Sequence, residues 1–268
     1  MDVIRVAGNL DYEIGNVNCQ GSVYVDGDVL PGFSIQAGGS VCVNGSVDAS
    51  RVTAGGQVEV GEGIVKQSQV SSGKSIVAGH ISQSFLDSTE DVTVRRDSTN
   101  CTVHAGGKIS LYPNGCVVGG GLFAKGDIEV GTAGSPKGIR TVLAAGSDPF
   151  KELGRTRLQI NLEKAESVRV RLKKLSDLVK AAARQRTKQA MDKQIDIQKQ
   201  IQKRLDAMEK VKFPSQPVHI TVLHEIHEGV WLQIGGAKKD FREPYPGATF
   251  EYDKKTKGIV KTTGRKTK

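Results

Sequence analysis

The chain has 268 residues, of which 37% are hydrophobic, 25% charged and only 5% aromatic. That length holds one or two domains with a respectable core, and there is no run of about 18 apolar residues to form a membrane-spanning helix. The formal net charge of +9 is unevenly spread: residues 1–150 carry 10 basic and 15 acidic side chains, whereas residues 151–211 carry 17 and 8.

The N-terminus has neither the basic start nor the apolar stretch of a signal peptide. Cys19, Cys42, Cys101 and Cys116 show no paired spacing, which points to reduced thiols in a bacterial-type cytosol. A short phrase, a turn residue followed by a small or polar residue and an aliphatic one, then recurs along the first half. Its aliphatic anchors are Val23, Val41, Val58, Ile76, Val92, Ile109 and Ile128, at steps of 16 to 19 residues. Steps that regular mean a solenoid, in which each repeat buries its apolar edge against its neighbours.

Within a repeat the alternation has period 2, as in Val23-Tyr24-Val25 and Val58-Glu59-Val60, which is strand chemistry. A second strand precedes each turn, as in Ile35-Gln36-Ala37 and Val103-His104-Ala105. No crossover helix fits between strands this short. The expected fold for residues 1–148 is therefore mainly β, a right-handed parallel β-helix of about seven coils. Of the 32 glycines, 25 precede residue 149. Gly21, Gly39, Gly56, Gly107 and Gly126 are read as turn glycines at corners that need φ > 0.

At Ser147-Asp148-Pro149 the pattern changes. Asp148 can cap a helix that starts at Pro149. Leu158, Leu162, Ala165, Leu172, Leu175, Val179 and Ala182 recur at coiled-coil spacing, and so do Met191, Gln194, Gln198, Ile201, Leu205 and Met208. Residues 149–212 are expected to form an antiparallel helical hairpin turning near Ala182–Lys188, with one unbroken helix of about 60 residues as the alternative. Strand signals return over 213–252, at Val218–Val222 and Val230–Ile234, packing on or extending the β-helix. Residues 253–268, with seven Lys/Arg against one Asp, read as a basic, flexible tail.

No catalytic set emerges. His224-Glu225-Ile226-His227 offsets its histidines by three, where a helical zinc site needs four, so a solvated turn is expected. Gly38-Gly39 and Gly119-Gly120-Gly121 lack the Lys-Ser/Thr of a phosphate loop and fit corners instead. Asp26, Asp28, Asp48, Glu59, Asp87, Glu90, Asp91 and Asp127 are scattered, whereas glycoside chemistry needs paired carboxylates. A β-helical carbohydrate-active enzyme is the least favoured alternative, and no metal or cofactor is expected. The tip of the hairpin carries Lys180, Arg184, Arg186 and Lys188 with no acid between Asp177 and Asp192. These four are the candidate contact for an acidic protein, with nucleic acid or an anionic membrane as the alternative, reached through the hairpin and the tail.

Ile4-Arg5-Val6-Ala7-Gly8-Asn9-Leu10-Asp11-Tyr12, Gly15-Asn16-Val17, Gly27-Asp28-Val29 and Pro31-Gly32-Phe33 resemble the opening of the bacterial flagellar assembly protein A family. Gly131, Ser135, Thr141 and Ser147-Asp148-Pro149 resemble its junction with the helices, and the resemblance spans about residues 3–250. Residues 23–64 are also similar to the β-helical C-terminal domain of the division inhibitor MinC. These resemblances imply a protein-docking β-helix: a non-enzymatic, cytoplasmic scaffold or regulator in flagellar assembly or placement, with flagellar or polar-localisation proteins as partners. The first coil, with its open strand edges, adds self-association into a homo-oligomer as a further expectation.

Overall fold

The computed structural model describes residues 3–178, 181–207 and 217–262, with side chains throughout except at 175–178, 181–184, 186 and 207. The chain divides into two compact units, Met1–Pro149 with Lys212–Lys268, and Phe150–Val211. The first is a parallel β-solenoid and the second holds two helices.

Each solenoid coil has three sides, and each side stacks in register on the coil before it. On the first side, Ile4, Val23, Val41, Val58, Ile76, Val92, Ile109, Ile128 and Ile220 form one column. All seven predicted anchors lie in it. Leu10, Val29, Val47, Ile64, Ile81, Ser98, Val117, Ala133 and Ile226 form the second column. Val17, Ile35, Val52, Val70, Leu86, Val103, Leu122, Leu143 and Leu232 form the third. Apart from Ile4, every residue of these columns is buried, which makes one continuous core from strands of two to nine residues. Parallel strands this short are stable only because each coil covers the next.

The solenoid therefore has about eight turns rather than seven. The extra levels are Val3–Val6, which lacks the turn phrase, and His219–Ile226, which lies beyond the helices.

Corner amides leave the sheets and need other acceptors. Side chains of the preceding coil supply them. Ser22 Oγ accepts the Ser40 amide at 3.0 Å, and Ser40 Oγ accepts that of Gln57 at 3.1 Å. Asp91 Oδ1 accepts from Lys108 at 2.8 Å and Asp127 Oδ1 from His219 at 2.8 Å. A second ladder lies inside the corner between the second and third sides. There the buried hydroxyls of Ser50, Ser68 and Ser84 each donate to backbone carbonyls, and the Cys101 thiol follows them to Thr99 O.

The turn glycines need a correction. Gly21, Gly39, Gly56, Gly107 and Gly126 sit at bends between the third and first sides, but none has a positive φ. Four of them lie in close approach to the preceding coil instead. A Cβ at Gly39, Gly56 or Gly107 would run into Ser22, Ser40 or Asp91 of the preceding coil, and one at Gly126 would lie 3.0 Å from the Gly107 carbonyl oxygen. The left-handed corner is elsewhere, at Ala49, Gln67, Gln83, Asn100 and Gly119.

The helical unit interrupts one corner. The third side ends at Thr141–Ala145, and the first side resumes at His219–Ile226. Helix α1 runs Pro149–Leu178 and α2 runs Ala181–Ala207. At 1.5 Å per residue these helices are about 45 and 40 Å long. Along α1, Leu158, Leu162 and Leu172 are half-buried and Ala165 is buried. Along α2 the same holds for Met191, Gln194, Gln198, Ile201 and Leu205, while most charged neighbours face solvent. Each helix thus has a less exposed stripe at the expected spacing. Leu175 and Ala182 have side chains outside the described set, and Val179 and Met208 lie outside the described residues.

After the last coil the chain reverses. Ala237–Asp240 runs antiparallel to Val230–Ile234, and Tyr245–Asp253 antiparallel to His219–Ile226. The expected flexible tail is also corrected: Gly258–Lys261 is a strand paired with Tyr245–Asp253. The Asp253 carboxylate accepts the Lys255 and Thr256 amides in the turn between them, so the loop chemistry there defines a hairpin. Residues 263–268 lie outside the described residues.

Candidate functional site

The candidate contact residues fall only partly within the described residues. Lys180 lies outside the described residues. Arg184 and Arg186 belong to α2 and have side chains outside the described set, and Lys188 is exposed on the same helix. The three described positions therefore sit on a helix and not in a turn.

Each of the eight scattered acids of the solenoid is tied to a structural partner. Asp26 pairs with Arg5 at 2.9 Å, Asp48 with Lys66 at 2.6 Å, and Glu59 with Arg95 at 2.8 Å. Asp87 meets His104 Nδ1 at 2.7 Å, and Glu90 accepts the Ser75 hydroxyl at 3.2 Å. Asp28, Asp91 and Asp127 accept corner amides. Stacking spreads these carboxylates along corners and coils, where each fixes its neighbour. The Asp26 pairing also holds the Arg5 guanidinium, itself stacked 5.2 Å over Tyr24, above its ordinary pKa.

The His224–His227 segment is a bulged strand end, which corrects the expected solvated turn. His224 lies in His219–Ile226, past a register shift between Val222 and Glu225. His227 follows the strand, with Nε2 3.8 Å from Glu225. Among the described residues no group of three His, Cys, Asp or Glu side chains is placed to share a metal ion. Gly38-Gly39 and Gly119-Gly120-Gly121 lie at corners or in strands of the solenoid.

The third side also carries separate outward-facing aromatics, two coils apart, that the repeated phrase does not mark. Phe85 and Trp231 are exposed there. Phe123 lies over Gly121, 5.4 Å from the His104 ring, and Arg140 stacks 5.4 Å from Trp231. The signal was outward-facing aromatics in alternate strand positions, diluted by a coil length that varies.

All four cysteines are free. Burial pushes the Cys101 thiol up from its ordinary value, and burial followed by the Glu59 carboxylate does the same to Cys42. Folded Cys101 thus holds its proton more tightly than the unfolded chain does. Its contribution to stability is whole below the ordinary thiol range, near about 8.5, and is lost as pH rises through the folded value. Denaturant unfolding between pH 7 and 10 should show the stability gap between wild type and Cys101→Ala narrowing with pH. A gap independent of pH would contradict the buried, protonated thiol.

Three stacked sides, a corner opened by two helices and an antiparallel cap define a β-solenoid with a helical insertion. Residues 2–257 match the family model of the flagellar assembly protein A beta solenoid domain. The chain belongs to that family, which ties it to flagellar assembly. No curated protein and no solved structure gives a significant match. No described helix is long and apolar enough to cross a membrane.

Proposed function

We propose that this chain is a non-enzymatic scaffold of the bacterial cytoplasm, acting through protein contacts in flagellar assembly or placement. The observation that carries this reading is family membership over residues 2–257. The partnered carboxylates agree with it, because an acid committed to a neighbouring coil is poorly placed for acid–base work. The charge division supports a directed contact, with Lys180, Arg184, Arg186 and Lys188 of the basic segment as the contact for an acidic patch on a flagellar or polar-localisation protein.

The test is co-purification from a flagellated bacterium, with wild type beside a variant in which all four residues are changed to Glu. Wild type should recover flagellar or polar proteins, and the variant should lose them. Melting of the variant should hardly move from that of wild type if the four charges act in docking alone. Recovery of only ribosomal or DNA-bound proteins would favour a phosphate-polymer binder, with binding steep in salt. Equal recovery by the variant would return the four residues to a solubilising role.

A further inference from the structure

The second side of the solenoid carries a groove of about 440 Å³ lined by Val65, His80, Ile81, Ser82, Arg96, Asp97 and Thr99. Register explains how residues far apart in sequence meet there. Ile64 stacks on Ile81 and Ile81 on Ser98, all inward. Their neighbours Val65, Ser82 and Thr99 therefore face outward in a row, and Ser82 pairs directly with Thr99. The His80 ring lies over Gly63, where a Cβ would strike it, so glycine makes the floor on which the ring rests.

Arg96 Nη2 stands 3.1 Å from His80 Nδ1. Arginine only donates, so Nδ1 is the acceptor and a neutral ring carries its proton on Nε2. The remaining Arg96 N–H groups, His80 Nε2–H and the hydroxyls of Ser82 and Thr99 have no acceptor among the described residues. Asp97 takes up none of them; its one side-chain contact among the described residues is through Oδ1, which accepts the Cys116 amide at 2.8 Å. Four donor groups thus line one groove, and one of them is a guanidinium with no carboxylate in contact.

We propose that this groove binds a carboxylate, with the Arg96 guanidinium as its charged donor and His80, Ser82 and Thr99 completing the set. A monoanion fits better than a phosphate dianion, because the Asp97 charge borders the groove and opposes a second negative charge. Charge-assisted donation gives the site its selectivity for an ion over a neutral isostere. The docking role proposed above does not depend on this site.

The probe is acetate, with acetamide as the neutral isostere and inorganic phosphate as the competitor. Binding is followed through the NMR signals of the Arg96 side chain and the His80 ring. Acetate should shift both saturably at millimolar concentration, and acetamide should shift neither. Arg96→Gln should bind about tenfold more weakly or worse with unchanged melting, and Ser82→Ala should weaken binding less. Wild-type affinity in Arg96→Gln, shifts that never saturate, or phosphate binding tighter than acetate would each overturn the assignment. The acetamide arm needs no variant, so a misfolded mutant cannot hide the answer.

Discussion

Gly120→Val should destabilise the solenoid by about 3 kcal/mol or more, because two independent penalties fall on one residue. Gly120 has φ +73°, where a β-branched residue is strained. A Cβ there would also collide with the Cys101 carbonyl oxygen, which is backbone of the coil beneath and cannot rotate away. Two controls separate these terms. Gly32→Ala, at φ +87° with nothing within 4 Å, tests the dihedral alone and should cost about 1 kcal/mol. Gly258→Ala has no positive φ and no atom nearer than 3.8 Å, and should change stability by less than about 0.5 kcal/mol. Urea unfolding of the three variants should give that order. A Gly120→Val protein as stable as Gly32→Ala would mean that the coils are not in close backbone contact at this corner.

The same close approach explains what was legible in the sequence. Between the third-side and first-side columns the spacing is six residues in every uninterrupted coil, from Val17 and Val23 to Leu122 and Ile128. That constancy produces the repeated phrase, and the helices enter at this same corner. The second side was nearly invisible. Its neighbours sit at varying distances, as Ile109 to Val117 and Ile128 to Ala133 show. In four coils it has only an isolated bridge or a two-residue strand. The His80–Arg96 groove was hidden for that reason, because its residues meet through stacking on the irregular side. The less exposed stripe along each helix was readable because one-sided burial imposes its period directly. The cap was foreseen only as returning strands. The reversal to antiparallel pairing depends on the turns around Gly235 and Asp253, which periodicity does not encode.

Phe250→Ala should have a comparably large effect at the other end of the solenoid. Phe250 is fully buried on Tyr245–Asp253, paired in register with Ile220 of the last coil. Its ring centroid lies 5.7 Å from Phe241 and 6.1 Å from Tyr245, with Lys239 Nζ 5.3 Å above it. Truncation removes the ring that joins the cap to the core and should cost about 3–5 kcal/mol. At roughly 2–4 °C per kcal/mol for a unit of this size, Tm should fall by about 6–20 °C. A second consequence follows from topology. The antiparallel strands satisfy the edge of the last coil, and the lysines on them, Lys238, Lys239 and Lys261, discourage further strand addition. A loosened cap would expose that edge next to an apolar core, so the variant should self-associate with rising concentration while wild type, under the same conditions, should not gain mass from this end. Light scattering across a concentration series measures this directly. A Phe250→Ala protein with unchanged Tm and unchanged scattering would show that the last coil is closed by its own strands and that the reversed segment is an ornament on a finished core.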